Sequence, residues 1–232
     1  MAEPAHASSL TVETLARLID QTLLRPDHTI EAVEAACQDA VALGFHTVIV
    51  PPYDVDLVVK LLHGTGVAAG GAVDVPLGHS GPRAKAAAAQ HCIESGAEEV
   101  DAVLNLIALK SGRYADVRSE IALLRKITEG CVLKVILECC YLTDEEKARA
   151  VELAVEAGAN FVKTSTGFGP GGATVHDVQL LAKAANGRAL VKAAGGIRSF
   201  LQVQEFLKAS AARIGTSAGP AIIRDFESRQ DT

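Results

Sequence analysis

The chain has 232 residues, a length that suits one large domain, and a closed α/β barrel is a common architecture at this length. Hydrophobic residues make up 49 % of the composition and charged residues 22 %, which excludes intrinsic disorder because so much apolar material can bury a large core. The 22 basic and 28 acidic residues give a net charge of −6, which argues against a surface that binds the phosphate backbone of a nucleic acid.

The sequence predicts a reduced, cytoplasmic protein that does not enter a membrane. No stretch of 18 uncharged apolar residues occurs, and the start of the chain has neither the basic nor the apolar region of a secretory signal. The five cysteines form no CxxC motif, and neighbours such as Cys139 and Cys140 do not easily close a relaxed disulfide. We expect the cysteines to be buried as small apolar residues of the core.

A repeated order of helix, small-residue stop, β-branched run and polar or glycine-rich loop organises the chain. The stops include Gly44, Gly96 and Gly158, and a glycine just past a helix end is a frequent terminator. The β-branched runs show little alternation of polar and apolar residues, as in strands that are covered on both faces. In chain order, the predicted strands are Leu18–Thr22, Thr47–Val50, Ala69–Val75, Glu99–Leu106, Leu133–Glu138, Phe161–Thr164, Leu190–Ala194 and Arg213–Gly215.

The clearest helix lies between the fifth and sixth predicted strands. Thr143 as N-cap and Glu146 three residues later form a capping box, and apolar residues at helical spacing predict a helix over Asp144–Glu156. Eight strands leave about 30 residues for each strand–helix unit, and the alternation indicates a parallel sheet. We predict one α/β domain over residues 1–232, a (β/α)8 TIM barrel with a short N-terminal helical extension. An open doubly wound sheet is the alternative.

Several known motifs can be set aside. Gly215-Thr-Ser-Ala-Gly219 matches the nucleophile elbow of serine hydrolases, but that fold places its acid and its histidine after the serine, and no histidine follows His176. The seven histidines show no HExxH motif and no paired spacing, so the sequence predicts no metal site. It has no Walker A motif and no convincing GxGxxG after a strand, so it predicts no cofactor.

Charged residues inside apolar strands are the main functional signal. Lys134, Lys163 and Lys192 lie in three successive predicted strands, and Asp101 lies in the strand before them. One such lysine could be an edge residue whose ammonium reaches solvent, but a fully buried lysine requires a partner. In a parallel barrel, alternate residues point into the lumen and the C-terminal strand ends carry catalytic groups. We therefore expect Lys163, Lys192 and Asp101 to converge at one mouth.

This combination suits imine chemistry. Two ammonium groups close together favour loss of a proton from one of them, and the neutral amine can then attack a carbonyl. The protonated imine accepts an electron pair while the carboxylate and the second lysine move protons. The resulting hypothesis is an enzyme that cleaves a carbon–carbon bond without a metal.

Three small-residue loops follow the last three predicted strands and predict a phosphate site. They are Gly167–Gly172, Gly195–Arg198 and Gly215–Gly219. Loops after strands 7 and 8 of such barrels often present backbone N–H groups and a helix N-terminus to a phosphate, and Arg198 would add a positive charge. Tight turns without a ligand are the alternative, because glycine runs alone are weak indicators.

At these residues the sequence resembles the deoxyribose-phosphate aldolases, a class I aldolase family with the (β/α)8 fold. The resemblance runs from Ile19 to Gly219 and is most specific in the stretches Glu99–Asn105, Ala108–Gly112, Lys134–Glu138, Phe161–Gly169 and Lys192–Arg198. It implies reversible cleavage of 2-deoxy-D-ribose 5-phosphate to D-glyceraldehyde 3-phosphate and acetaldehyde. It also implies a homodimer. The expected partners are this small phosphorylated sugar and acetaldehyde, and neither a nucleic acid nor a membrane is expected.

The resemblance also implies a role for each matching residue. Lys163 would form the Schiff base, Lys192 would perturb it and assist proton transfer, and Asp101 would donate and accept protons through water. The implied substrate- and phosphate-binding residues are Thr22, Lys134, Gly167, Gly169, Gly195, Gly196, Arg198, Gly215 and Ser217.

Four positions depart from the usual pattern of this family. Gln21 stands in place of a histidine, Ile49 in place of a cysteine, Pro51 in place of an asparagine and Ala218 in place of a second serine. These differences bear on phosphate affinity and substrate preference rather than on the catalytic set. Two other functions stay open, a related Schiff-base aldolase for another short sugar phosphate and a non-catalytic barrel that binds a phosphorylated metabolite.

Overall fold

A computed structural model describes residues 10–230 of the protein. Within that range, eight parallel strands close into a barrel in which each strand pairs with the next and the eighth pairs with the first. The prediction of a (β/α)8 TIM barrel is therefore confirmed, and the open sheet is excluded. Of the predicted N-terminal helical extension, residues 1–9 lie outside the described residues, and a short helix precedes the first strand.

The strands are short and almost entirely buried. They are β1 (Ile19–Thr22), β2 (Thr47–Val50), β3 (Ala68–Val73), β4 (Glu99–Val103), β5 (Val132–Ile136), β6 (Phe161–Lys163), β7 (Leu190–Ala194) and β8 (Arg213–Thr216). The second and seventh strands begin and end at the predicted residues. Helices cover the outer face of each strand and side chains fill the barrel interior, which explains why the sequence runs show little alternation.

Ten α-helices lie in the described part of the chain. They are α1 (Val12–Ala16), α2 (Ile30–Leu43), α3 (Val55–Leu62), α4 (Pro82–Glu94), α5 (Leu106–Lys110), α6 (Tyr114–Ile127), α7 (Asp144–Glu156), α8 (Val175–Ala185), α9 (Phe200–Lys208) and α10 (Gly219–Ser228). The predicted helix over Asp144–Glu156 is confirmed, with Thr143 and Glu146 forming its capping box. Single 3-10 turns at Pro52–Asp54 and Cys139–Tyr141 follow the second and fifth strands.

The predicted fourth and fifth strands are too long. A side-chain hydrogen bond ends the fourth strand early, and a backbone conformation ends the fifth. The side chain of Asn105 accepts a hydrogen bond from the backbone N–H of Ala108 and so begins α5, which takes Leu106 into a helix. Glu138 adopts a left-handed backbone with φ of 52°, which no strand residue can have. The third strand likewise ends at Val73, because Asp74 has a φ of 59°.

The main hydrophobic core lies between the barrel wall and the helices and is built from small aliphatic side chains, as the aromatic content of 4 % requires. Cys37, Cys92 and Cys139 are buried in it, as predicted, whereas Cys131 and Cys140 are partly exposed, and all five are free thiols. No helix in the described range is long and apolar enough to cross a membrane.

Candidate active site

Seven buried charged side chains from six strands meet inside the barrel, and we call them the axial cluster. They are Asp20 of β1, Glu99 and Asp101 of β4, Lys134 of β5, Lys163 of β6, Lys192 of β7 and Arg213 of β8. The strand register brings them together, because Asp101 lies opposite Lys134 and Lys163 lies opposite Lys192. Inward-pointing residues of neighbouring strands at matched register share the lumen of a small barrel.

Asp101 joins the three strand lysines that the sequence singles out. Its Oδ2 accepts hydrogen bonds from Lys163 Nζ at 2.9 Å and from Lys192 Nζ at 2.8 Å, and its Oδ1 accepts one from Lys134 Nζ at 2.7 Å. One carboxylate oxygen therefore contacts both Lys163 and Lys192, so a proton can pass between the two amines across a single atom.

The remaining carboxylates hold the other cations of the axial cluster. Asp20 contacts Lys192 Nζ at 2.6 Å and Arg213 at 2.5 Å. Glu99 contacts Lys134 and accepts a hydrogen bond from Arg213 at 3.0 Å. Lys134 and Lys192 are thus each bound by at least two carboxylates, whereas Lys163 forms an ion pair with Asp101 alone among the residues of the described structure.

Lys163 loses its proton more easily than an ordinary lysine, because its pKa is lowered. The axial cluster holds four basic groups and three carboxylates, so one basic group lacks a counter-ion when all are charged. Burial lowers the pKa of Lys163 to about 8, the attraction of Asp101 opposes this change, and repulsion from Lys192 adds to it. Desolvation therefore lowers this pKa more than the repulsion between the two ammonium groups, which the sequence suggests as the cause of a neutral amine.

Three other groups of the axial cluster, Asp101, Glu99 and Lys134, have pKa values shifted in the direction that keeps them ionised. Burial by itself would raise the pKa of Asp101, but the ammonium groups of Lys134, Lys163 and Lys192 outweigh it and hold this pKa well below its usual range. Against the effect of burial, a hydrogen bond from His46 and the charges of Lys134 and Arg213 lower the pKa of Glu99. The pKa of Lys134 is raised, because its three carboxylate neighbours outweigh its burial.

A cavity of about 250 Å³ opens at the carboxyl ends of the strands, next to Lys163. Its walls come from the loops that follow β1, β6, β7 and β8, which is the catalytic face of such barrels. Lys163 is the one member of the axial cluster that lines this cavity. The volume lies near the lower end of the range for small-molecule sites, about 300–1,000 Å³, so a small metabolite fits it. Two larger cavities lie elsewhere and do not include Lys163.

Most of the binding residues implied by the sequence lie around this cavity. Those that line it are Thr22, Gly167, Gly195, Gly196, Arg198, Gly215 and Ser217. Lys134 does not, because it lies deeper in the barrel and its ammonium is already enclosed by carboxylates. Gly169 is not among the residues that line the cavity, and a Cβ at this position would lie 2.8 Å from Cys140 Sγ. The binding roles of Gly169 and Lys134 stay predictions.

The sequence alone does not predict several residues of the site. Asp20, Glu99 and Arg213 complete the axial cluster, and Glu138 accepts hydrogen bonds from the backbone N–H of Thr166, at 3.1 Å, and from its hydroxyl. A detectable signal exists for Glu99, which precedes Asp101 by two residues and therefore points to the same side of its strand. No comparable pattern marks Asp20 or Arg213.

The four departures from the family pattern lie in or just after β1, β2 and β8, and none of them lines the cavity. Gln21 is buried, donates a hydrogen bond to the carbonyl of Ser217 at 3.4 Å and accepts one from the N–H of Gly219 at 3.2 Å. Ile49 is fully buried in β2, and Pro51 precedes the 3-10 turn at Pro52–Asp54. Ala218 is the N-cap of α10 and offers no capping side chain. Within residues 10–230, no group of three His, Cys, Asp or Glu side chains is arranged to hold a metal ion.

Comparison with known proteins adds an independent line of observation. Residues 14–225 match the model of the DeoC/LacD family aldolases. The chain is 45 % identical over 221 residues to the deoxyribose-phosphate aldolase of Carboxydothermus hydrogenoformans, covering 94 % of this chain and 97 % of that one. It is 48 % identical over 209 residues to the Dictyoglomus turgidum enzyme of the same name, covering 90 % and 95 %. The structure resembles the tetrameric deoxyribose phosphate aldolase of Aeropyrum pernix, with a TM-score of 0.89 at 34 % identity over 94 % of this chain and 93 % of that one.

Proposed function

Because the chain belongs to the DeoC/LacD family of aldolases, and is therefore a lyase that acts on carbon–carbon bonds, we propose that it cleaves 2-deoxy-D-ribose 5-phosphate reversibly into D-glyceraldehyde 3-phosphate and acetaldehyde. The observation that carries the mechanism is the position of Lys163. It is the one axial-cluster residue that lines the cavity, and its pKa is about 8. A buried amine that is partly neutral at physiological pH and open to a ligand is suited to attack a carbonyl.

Imine formation is the first step of this proposal. The neutral amine of Lys163 adds to the C1 aldehyde of the open-chain sugar, and loss of water leaves a protonated imine. With a pKa of about 8, roughly a tenth of Lys163 is neutral at pH 7, against about one in 3,000 for an unshifted lysine. The environment of Lys163 therefore raises the concentration of the reactive amine by more than two orders of magnitude.

Bond cleavage follows. The C2–C3 bond breaks and its electron pair moves towards the imine nitrogen to form an enamine, while the C3 hydroxyl loses its proton and becomes the aldehyde of D-glyceraldehyde 3-phosphate. The enamine then takes a proton at C2, and water hydrolyses the imine to release acetaldehyde. Lys192 and Asp101 are the groups placed to move these protons, since Asp101 Oδ2 contacts both amines.

The phosphate of the substrate would bind at the other side of the cavity. The loops after β7 and β8 contribute Gly195, Gly196, Arg198, Gly215 and Ser217 to its wall. A guanidinium beside glycine-rich backbone is well suited to a phosphate. Gly167 of the loop after β6 and Thr22 at the end of β1 would contact the sugar between the phosphate and the amine.

A coupled assay tests this function. Acetaldehyde released from 2-deoxy-D-ribose 5-phosphate is reduced by alcohol dehydrogenase, and the loss of NADH absorbance is followed for the protein and for its Lys163→Arg variant. We expect activity for the unchanged protein and none for the variant, because a guanidinium cannot form the imine. Release of aldehyde only from another short sugar phosphate would favour the related-aldolase alternative. Tight binding of such compounds without any cleavage would favour the non-catalytic barrel.

Two further proposals concern the localisation and the oligomeric state of the protein. The free thiols of all five cysteines suit a reducing cytoplasm. A homodimer follows from the family resemblance, while the Aeropyrum pernix relative is a tetramer. Light scattering coupled to size-exclusion chromatography separates a dimer from a tetramer by mass.

A further inference from the structure

A second arginine stands at the phosphate side of the cavity. Arg25 lies in the loop that follows β1, and it lines the same cavity as Arg198 and Ser217. In the closed barrel, β8 lies between β7 and β1. The loop that carries Arg198 and the loop that carries Arg25 therefore flank the loop of Ser217, one on each side.

The charge of the cavity wall favours an anion with more than one negative charge. Its lining residues include Arg25, Arg198 and Lys163 but no aspartate or glutamate, although the chain as a whole has a net charge of −6. In the proposed mechanism Lys163 is bonded to the aldehyde carbon of the sugar, so the two arginines are the cations left for the phosphate at the other end of the substrate. A phosphate monoester carries between one and two negative charges near pH 7. The two guanidinium groups together match that charge.

Backbone donors near this side of the cavity are already engaged within the protein. The N–H of Ala218 donates to Thr216 Oγ1 at 2.9 Å, that of Gly219 donates to Gln21 Oε1, and that of Arg198 donates to Gln202 Oε1 at 2.8 Å. Pro220, the next residue of α10, has no N–H. Fewer backbone donors are thus free for a phosphate than the glycine-rich sequence suggests, and side-chain cations become more important.

Arg25 can change partner at little cost. Its guanidinium donates two hydrogen bonds to Asp27, both at 2.9 Å, and the two side chains are 79 % and 64 % exposed. An exposed ion pair of this kind stabilises a protein very little, so exchanging the carboxylate of Asp27 for a bound phosphate loses little. The planar guanidinium fits two phosphate oxygens as well as it fits a carboxylate.

We propose that Arg25 is a phosphate-binding residue of this site and that Arg25 and Arg198 together bind the 5-phosphate of the substrate. This inference rests on the proposed function and adds to it a residue that determines the preference for phosphorylated substrates. Without substrate, Asp27 binds the guanidinium of Arg25, and during binding it competes with the phosphate for that group.

The test compares Arg25→Gln with Asp27→Asn, using Arg113→Gln as a matched control from the exposed Arg113–Asp116 pair. For Arg25→Gln we expect KM for deoxyribose 5-phosphate to rise about tenfold, since a charge-assisted hydrogen bond is lost. The ratio of kcat/KM for the phosphorylated sugar to that for 2-deoxyribose should fall by a similar factor. Asp27→Asn frees the guanidinium and should leave KM equal or lower, and the control should leave the ratio unchanged.

Two results would overturn the role of Arg25. One is an unchanged KM in Arg25→Gln, and the other is an equal rise of KM in Asp27→Asn, which would show that the ion pair only shapes the loop. Titration of the protein with inorganic phosphate separates this inference from the proposed function. If the unchanged protein does not cleave deoxyribose 5-phosphate, the function fails. The role of Arg25 then still predicts a Kd for phosphate that is about tenfold higher in Arg25→Gln.

Discussion

At the scale of single residues, Lys163 differs from the other cations of the axial cluster in two respects. It contacts one carboxylate where Lys134 and Lys192 contact at least two, and it alone borders the cavity. Burial is the largest cause of its lowered pKa, and the charge of Lys192 is a smaller one. Reactivity at Lys163 thus follows from where the chain places it as much as from its neighbours.

Replacing Lys192 with leucine should shift the pH dependence of imine formation upwards. Wild-type Lys163 should titrate near pH 8, and loss of the neighbouring charge should raise that midpoint, although burial keeps it below the 10.5 of a free lysine. The rate of borohydride trapping with acetaldehyde, measured from pH 6 to pH 10, gives both midpoints. A midpoint that stays at 8 or falls in Lys192→Leu would contradict the claim that Lys192 lowers the pKa of this amine.

Replacing Asp101 with asparagine should separate imine formation from bond cleavage. Asp101 raises the pKa of Lys163, so its removal leaves the amine more neutral and trapping should persist. Proton transfer loses its shared oxygen, so kcat should fall by about 10²- to 10⁴-fold. Thermal unfolding of the variant serves as the control, because three buried ammonium groups also lose a carboxylate partner. Equal loss of trapping and of cleavage in a folded variant would contradict this division of roles.

At the scale of elements, the loop after β6 is held by a side chain from the end of β5. Glu138, in its left-handed conformation, accepts hydrogen bonds from both the N–H and the hydroxyl of Thr166, three residues beyond Lys163. The loop residues Thr166, Gly167 and Phe168 line the cavity. The carboxylate of Glu138 therefore fixes the wall beside the reactive amine without contacting the cavity itself.

Truncation of Glu138 to alanine should loosen this loop. We expect the free energy of unfolding to fall by about 2 kcal/mol, since two buried hydrogen bonds to a carboxylate are lost. Glu138→Gln keeps an acceptor oxygen for the N–H of Thr166 and should lose less. Urea unfolding of both variants, together with KM for the sugar phosphate, measures the effect. Identical stabilities for the alanine and glutamine variants would mean that the hydrogen bonds do not support the loop.

Element boundaries also show what the sequence can and cannot predict. Lysines at positions 134, 163 and 192 stand out because each interrupts an apolar run, and the regular spacing of strands predicts a parallel barrel that brings them together. Arg213 begins its strand, where a charge is unremarkable, and Asp20 lies beside the polar Gln21 and Thr22. Their burial depends on the register of closure between distant strands, which no local pattern reveals.

At the scale of the whole molecule, the axial cluster links barrel stability to pH. Asp20, Glu99 and Asp101 have folded-state pKa values below their ordinary ones, so the unfolded chain binds more protons at these groups. Their contribution to stability is complete above about pH 5 and is lost as pH falls through the unfolded and then the folded values. We expect urea-unfolding free energies to decrease steeply between pH 5 and pH 3. The exposed Asp116→Asn variant should show the same slope as the unchanged protein, and a flat profile would contradict the linkage.

The identity of the trapped lysine tests the central claim most directly. The protein is incubated with acetaldehyde and sodium borohydride, digested, and mapped by mass spectrometry for the reduced two-carbon adduct. We expect one stoichiometric adduct, on Lys163, and none in Lys163→Ala. An adduct on Lys134 or Lys192 with Lys163 unmodified would show that the cavity and the reactive amine have been assigned to the wrong residue.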